Sequence, residues 1–118
     1  MNERTFANAV KAAAPTLSAE YWQDVLSRSI ASRDVKNIIL RQYRAIDTKI
    51  YAEWEPKLLA LTKRVPMIVL WGDRDPFISN RFAERFGAQV VQHYPNYGHW
   101  IAAEAVEEIA GKLDVFLA

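Results

Sequence analysis

Residues 65–79 read VPMIVLWGDRDPFIS, and this stretch decides the fold class. Its first seven residues are continuously apolar and rich in branched side chains, which is typical of a strand buried on both faces. Gly72 and Pro76 end the strand, and Asp73 and Asp75 follow it. Open α/β sheets place their functional sites at the carboxyl ends of strands, so the stretch predicts a buried strand that leads into a polar, functional loop.

The residues after this loop predict a second strand and two more helices. Ser79 or Asn80 begins a short helix with Phe82, Ala83 and Phe86 inward, and Gly87 closes it. A strand follows at Gln89–Tyr94, and a last helix runs from about Ile101 to Leu117. Residues 65–118 therefore predict a strand–helix–strand–helix unit of the α/β class, with its two strands parallel.

Residues 1–64 predict helices only. Pro15 stops the first helix, Ser18 caps the second, the third starts near Ser32, and Pro56 suits the first turn of a fourth. One face of the third helix carries Val35, Ile38, Ile39, Tyr43 and Ile46. A two-stranded sheet is marginal alone, so its cover must come from these helices, from another copy or from a larger fold.

Composition excludes several classes of function. Of 118 residues, 51% are hydrophobic and 25% charged, as in globular domains. Residues 1–65 hold 11 Lys and Arg against 7 Asp and Glu, and residues 66–118 hold 4 against 7. This difference in charge between the two halves is too small to indicate a nucleic-acid-binding domain. The longest apolar run is too short for a membrane span. With no cysteine there is no disulfide, thiolate metal site or cysteine nucleophile, and we expect a cytoplasmic protein.

Asp75 and His99 form the candidate catalytic pair. They are separated by one predicted helix and one predicted strand, so neighbouring parallel strands bring them to one edge of the sheet. There the carboxylate can accept a hydrogen bond from one ring nitrogen and fix the tautomer, which leaves the other nitrogen to accept a proton. Taken singly, Asp75 suits a turn before proline, and His99 suits a helix cap or the surface.

Other polar residues have simpler interpretations. His93, on the second strand, is expected to be structural or exposed. Glu104 is expected to support the first turn of the last helix through the helix dipole. The basic residues Arg33, Lys36, Arg41 and Arg44 fit a solvated helix face or, less simply, a phosphate site.

Two stretches resemble the C-terminal part of the α/β-hydrolase superfamily. VPMIVLWGDRDPFIS is similar to that fold's penultimate strand and acid loop, and residues 98–117, GHWIAAEAVEEIAGKLDVFL, are similar to its histidine loop and closing helix. Residues 50–118 match in order and spacing. The resemblance, closest to the epoxide hydrolase and haloalkane dehalogenase branch, implies Asp75 as triad acid, His99 as base and Asp73 as a non-catalytic acid. It also implies that residues 1–64 are a remnant of a helical cap domain and residues 65–118 part of the hydrolase core.

One departure from the superfamily decides what the chain can do. The four glycines, at 72, 87, 98 and 111, form no G-x-S-x-G or G-x-D-x-G nucleophile turn. The His-Gly loop that donates oxyanion-hole N–H groups is also absent. The resemblance places both in an N-terminal half outside these residues, so we expect the chain alone to be close to inert.

Two functional hypotheses follow. The chain is a fragment or subunit that acts on esters, epoxides or carbon–halogen bonds when a partner chain brings the nucleophile, with a small-molecule substrate and without metal or organic cofactor. Alternatively, it is an inert α/β module, derived from a truncated hydrolase, that forms homo-oligomers.

Trp54 and Trp100 are the candidate substrate contacts, and the aromatic residues Trp22, Tyr43, Tyr51 and Trp54 fit either a helical core or a pocket.

Overall fold

The computed structural model describes residues 3–29, 32–47 and 53–118. Four helices come first in this part of the chain: α1 (Glu3–Ala12), α2 (Ala19–Ser29), α3 (Arg33–Ala45) and α4 (Trp54–Leu61). They are followed by strand β1 (Ile68–Gly72), two short 3₁₀ helices (Asn80–Phe82 and Glu84–Phe86), strand β2 (Val90–Tyr94), and helices α5 (Ile101–Glu104) and α6 (Val106–Leu117). None of the described helices is both long enough and apolar enough to cross a membrane.

The two strands form a parallel sheet, as predicted. Ile68 lies opposite Val90 and Gly72 opposite Tyr94, with every residue between them in register. Backbone hydrogen bonds continue past the strand ends, because the Asp73 N–H donates to the Tyr94 carbonyl oxygen at 3.0 Å. The protein is thus of mixed α/β class, and its sheet holds the loops that follow β1 and β2 side by side.

Strand β1 is shorter and less buried than the sequence predicts. It begins at Ile68 because the Val65 N–H still donates to the Leu61 carbonyl oxygen at 2.9 Å, which extends the turn that ends α4. Within β1 only Val69 and Gly72 are buried. The strand that was predicted to be buried on both faces is therefore only partly buried, because its other three residues are of intermediate exposure.

Two predicted helices are broken in the structure. The segment before Gly87 forms two 3₁₀ turns that flank Ala83, and Phe86, predicted to point inward, is partly exposed. Gly87 closes the segment as predicted, with a left-handed φ of 64° that favours glycine. The last helix divides at the buried Ala105, whose φ of −129° and ψ of 45° lie outside the helical region.

The N-terminal helices begin where the sequence predicts. The Ser18 hydroxyl oxygen accepts from the Tyr21 N–H at 3.1 Å, and the Ser32 hydroxyl oxygen accepts from the Val35 N–H at 3.2 Å. Helix α3 nevertheless buries none of its residues, and Tyr43 on its apolar face is 71% exposed. The buried apolar residues of the described chain are Ala13, Ala14, Trp22, Val69, Ala83, Tyr94 and Ala105.

Candidate functional site

The structure brings Asp75 and His99 together. Asp75 lies in the loop after β1, His99 lies in the loop after β2, and the parallel register places these loops at one edge of the sheet. The His99 Nδ1 lies 2.8 Å from the Asp75 Oδ2, a hydrogen-bond distance at which the ring N–H donates to the carboxylate. The Asp75 side chain is 8% exposed and that of His99 is 29% exposed.

The second carboxylate oxygen of Asp75 is held by its own loop. Its Oδ1 accepts hydrogen bonds from the N–H groups of Phe77 at 2.8 Å and Ile78 at 3.1 Å. Asp75 therefore has the turn role that its position before Pro76 suggests, and it also contacts the histidine. Because one oxygen is fixed by the backbone, the other is aimed at the ring of His99.

The ring of His99 lies between two aromatic side chains. Phe77 and Trp100 each approach it edge-on, with ring centroids 5.1 Å from its own. No described residue hydrogen-bonds the Nε2 atom, and this atom is not among the buried polar atoms that lack a partner. The imidazole is thus fixed through Nδ1, while Nε2 has no hydrogen-bond partner among the described residues and belongs to a side chain that is 29% exposed.

The N-terminal residues also hold the histidine loop, a contact that the sequence did not predict. The His99 N–H donates to the Ala13 carbonyl oxygen at 2.6 Å, and Ala13 is fully buried. A Cβ atom on Gly98 would lie 2.1 Å from the same oxygen, so this position accepts only glycine without a shift of the backbone. In the sequence, the signal that could have indicated this contact is the run of small residues before Pro15, because small side chains let two backbone segments approach closely.

Glu104 contacts this loop and the N-terminal turn together. Its Oε1 accepts from the Gly98 N–H at 2.7 Å, and its Oε2 accepts from the Thr16 hydroxyl at 2.8 Å and the Thr16 N–H at 3.3 Å. The sequence predicted only support of the last helix through its dipole. The structure adds specific hydrogen bonds next to His99.

The second histidine is arranged differently. His93 Nδ1 lies 2.6 Å from the Asp73 Oδ1, and His93 Nε2 lies 2.8 Å from the Glu84 Oε1. The hydrogen bond to Asp73, followed by that to Glu84, raises the pKa of His93 above its ordinary value. The His93 hydrogen bond likewise lowers the pKa of Glu84. Each ring nitrogen of His93 thus faces its own carboxylate, an arrangement that favours the imidazolium form and a structural role.

The two predicted tryptophan contacts lie in different surroundings. Trp54 lines a largely apolar cavity of about 720 Å³ between α4, β1 and the 3₁₀ segment, together with Leu58, Trp71, Ile78, Phe82 and Phe86. Trp100 does not line this cavity but packs on His99. Ile78 links the two places, because its side chain lines the cavity while its N–H binds Asp75.

The other predicted aromatic contacts do not gather in one pocket. Trp22 is buried in the core and Tyr43 is exposed, whereas Tyr51 lies outside the described residues. Among the described residues, no group of three histidine or acidic side chains has an arrangement that could hold a metal ion.

Comparison with protein-family models, with curated proteins and with solved structures found no match. The resemblance to α/β-hydrolases therefore stays a prediction that rests on the residues of the two loops.

Proposed function

We propose that this chain supplies the acid and the general base of a nucleophile–histidine–aspartate triad in a hydrolase of the α/β-hydrolase type. The observation that carries the proposal is the 2.8 Å contact between His99 Nδ1 and Asp75 Oδ2, with no described residue hydrogen-bonded to Nε2. A base must be oriented on one nitrogen and accessible on the other. Among the described residues, His99 meets both conditions, whereas His93 fails the second because Glu84 lies against its Nε2.

The two residues have distinct roles in the proposed reaction. Where the nucleophile is a serine, Nε2 of His99 takes the hydroxyl proton as the oxygen attacks an ester carbonyl, and later returns it to the leaving alcohol. Where the nucleophile is an aspartate, the carboxylate opens an epoxide, whose alkoxide oxygen takes a proton from solvent, or displaces a halide ion. His99 then deprotonates the water that cleaves the resulting ester, and the imidazolium returns this proton to the departing alkoxide. In both cases the Asp75 carboxylate stabilises the imidazolium.

The nucleophile comes from another polypeptide segment in this proposal. No Gly-x-Ser-x-Gly or Gly-x-Asp-x-Gly turn occurs in the 118 residues. Within the described residues β1 pairs only with β2, so its other edge carries no paired strand. A strand added there ends next to the loop that carries Asp75, which is where a parallel sheet would deliver a nucleophile.

The cavity beside this loop suits a small apolar substrate. It is open to solvent, with a volume of about 720 Å³, and its lining is mostly aliphatic or aromatic, together with the charged residues Glu55, Lys57 and Arg85. We assign Trp54 to the wall of this pocket and Trp100 to the packing that holds the His99 ring. An ester, epoxide or alkyl halide with an apolar body fits such a lining.

The test is reconstitution with a nucleophile-bearing chain. A reading frame adjacent to this one that encodes a strand followed by a G-x-S-x-G or G-x-D-x-G turn is co-expressed with this chain, and the complex is assayed. Turnover of p-nitrophenyl butyrate is expected with serine, and of styrene oxide or 1-bromobutane with aspartate. Absence of such a frame, or a complex whose turnover survives His99→Ala, contradicts the proposal.

A second candidate function, a self-associating module without catalysis, has its own supporting observation. Val106, Leu113 and Leu117 lie on one face of α6 and are exposed, as is Ala110 between them. A continuous exposed apolar stripe favours association with another copy. Native mass spectrometry decides: a dimer that no nucleophile-bearing chain displaces, together with absence of turnover, supports this module, and a monomer contradicts it.

A further inference from the structure

Glu104 connects three parts of the chain around the candidate base. Its carboxylate joins Gly98, immediately before His99, to Thr16, three residues after Ala13. We propose that Glu104 is a positioning residue, which sets the direction of the His99 side chain by clamping the histidine loop against the turn at residues 13–16.

The backbone on both sides of the histidine is fixed in this arrangement. The Gly98 N–H donates to Glu104 Oε1 at 2.7 Å, and the His99 N–H donates to the Ala13 carbonyl oxygen at 2.6 Å. Two consecutive N–H groups with fixed acceptors determine the position of the His99 Cα atom and the direction of its Cα–Cβ bond. The ring then reaches Asp75 through one side-chain geometry.

Both contacts depend on the missing side chain of Gly98. Gly98 is buried, and the main chain at Ala13 lies so near that no Cβ atom fits between them. Where the two segments approach most closely, neither the histidine loop nor the turn at residues 13–16 contributes a side chain that links them. Glu104 provides this link, because one of its oxygens accepts a hydrogen bond from the loop and the other accepts from the turn.

A carboxylate suits this task better than a neutral side chain. The Gly98 N–H, the Thr16 hydroxyl and the Thr16 N–H are all donors, and an ionised carboxylate is an acceptor only. A glutamine in its place keeps an oxygen for Gly98 and can donate its amide to the Thr16 hydroxyl oxygen. It loses only the longest bond, that from the Thr16 N–H at 3.3 Å.

The positioning role rests on the proposed function, because the direction of His99 matters for chemistry only if His99 is the base. A misplacement of a catalytic group by about 1 Å can cost on the order of 10²-fold in rate. In the reconstituted complex, we therefore expect Glu104→Ala to lower kcat by about that factor with little change in KM. The geometry itself is testable on this chain without turnover.

The experiment is NMR spectroscopy of the wild-type chain and the variants Glu104→Ala, Glu104→Gln and Glu107→Ala. Two signals are followed: the exchange rate of the Gly98 amide relative to that of Ile109 in α6, and the hydrogen-bonded Nδ1 proton of His99. In Glu104→Ala we expect the relative Gly98 exchange to rise by about tenfold or more, as for a lost bond of typical net strength, and the His99 signal to disappear.

The other variants separate positioning from stability. Glu104→Gln should restore both signals, and Glu107→Ala, a matched loss of an exposed carboxylate at the start of α6, should leave both unchanged. If Glu104→Ala does not fold, Thr16→Val serves instead, and it should broaden the His99 signal while the fold is kept. An intact His99 Nδ1 signal in the folded Glu104→Ala or Thr16→Val chain overturns the positioning role.

The two proposals fail in different ways. If the NMR signals behave as expected but the reconstituted complex keeps its turnover in His99→Ala, the hydrolase proposal is wrong and the geometric clamp remains. If His99→Ala abolishes turnover and Glu104→Ala leaves kcat unchanged, the hydrolase proposal stands and the positioning role is wrong.

Discussion

The two histidines of this chain have similar exposure and opposite chemical situations. The side chains of His93 and His99 are 32% and 29% exposed, and each lies within 3 Å of an aspartate from the loop after β1. His93 has a second carboxylate, Glu84, on its other ring nitrogen, whereas no described residue hydrogen-bonds the Nε2 of His99. Exposure therefore does not distinguish the candidate base from the structural histidine, and the number of acceptors does.

This difference gives the two histidines different roles. His93 with Asp73 and Glu84, which we call the His93 clamp, links neighbouring segments, and His99 is the candidate base. Two carboxylates, one at each ring nitrogen, favour the protonated form of an imidazole, because only in that form do both nitrogens carry a proton to donate. Such a ring joins its surroundings but cannot accept a proton from a nucleophile. His93 accordingly ties the loop after β1 and the second 3₁₀ helix to β2, and His99 remains the candidate for proton transfer.

The largest expected effect is on turnover in the reconstituted complex. His99→Ala should lower kcat by about 10⁶-fold, the scale seen when the base of a triad is lost. The matched variant His93→Gln should leave kcat within about tenfold, because it perturbs folding but no reacting atom. Steady-state kinetics at a temperature where both variants are folded checks this, and a similar loss in the two variants contradicts the comparison.

The next effect concerns the tautomer of His99. In Asp75→Asn the amide oxygen can still accept from the Phe77 and Ile78 N–H groups, so the loop is kept. The amide nitrogen then faces Nδ1 of His99 and donates to it, which moves the ring proton to Nε2 and removes the base. We expect kcat to fall by about 10⁴-fold.

The tautomer change is also measurable on this chain alone. The ¹⁵N chemical shifts of the His99 ring should show the proton on Nδ1 in the wild type and on Nε2 in Asp75→Asn. The shifts of His93 serve as the internal control, since its carboxylate partners are Asp73 and Glu84. An unchanged His99 tautomer in the variant contradicts the assigned hydrogen bond.

The pairing of Asp75 with His99 could be predicted because it follows from strand order. Two parallel neighbours place the loops after them at one edge, whatever the exact strand ends. The Ser18 and Ser32 caps were equally local, since one hydroxyl and an N–H three residues later suffice. Both predictions needed only spacing along the chain.

Contacts between distant segments could not be predicted in this way. Nothing local to Glu104 indicates Thr16, which is 88 residues away, and nothing near Gly98 indicates the Ala13 carbonyl oxygen. The apolar face of α3 shows the converse limit, because helical periodicity predicts an apolar stripe but not that a neighbour covers it. The division of the last helix at Ala105 likewise follows from tertiary packing, since no proline or glycine marks it.

Main-chain contact at His99 gives a third way to test the comparison. Gly98→Ala places a Cβ atom 2.1 Å from the Ala13 carbonyl oxygen, which the backbone can relieve only by shifting. We expect a loss of about 3 kcal/mol in the free energy of unfolding, as for severe overpacking. The ring of His99 should lose its contact with Asp75, whereas the His93 clamp should keep both of its bonds.

Gly111→Ala is the matched control. A Cβ atom at Gly111 meets nothing within 4 Å, and this residue lies inside α6. The substitution should therefore raise the free energy of unfolding by about 0.5–1 kcal/mol, because alanine is the better helix former. Chemical denaturation of the wild type, Gly98→Ala and Gly111→Ala measures both changes. If the free energy of unfolding changes in the same direction in both variants, the close approach at Gly98 is contradicted.

The last test concerns the pH dependence of the His93 clamp. Because the folded pKa of His93 is raised above 6.5, its stabilisation is complete below pH 6.5 and is lost as the pH rises through the folded pKa. Because the folded pKa of Glu84 is lowered below 4.5, its contribution is complete above pH 4.5 and is lost as the pH falls through the folded value. The clamp is therefore strongest between pH 4.5 and 6.5.

His93→Gln measures this window. Above the folded pKa a neutral histidine can donate to only one carboxylate, which a glutamine amide can also do, so the two proteins should converge in stability. Near about pH 6 the charged hydrogen bond to Asp73 should make the wild type more stable by about 1.5 kcal/mol. Urea denaturation of both proteins from about pH 5 to pH 9 checks this. A difference that stays constant over that range would mean that His93 is not held as an imidazolium, and the contrast with His99 would then rest on geometry alone.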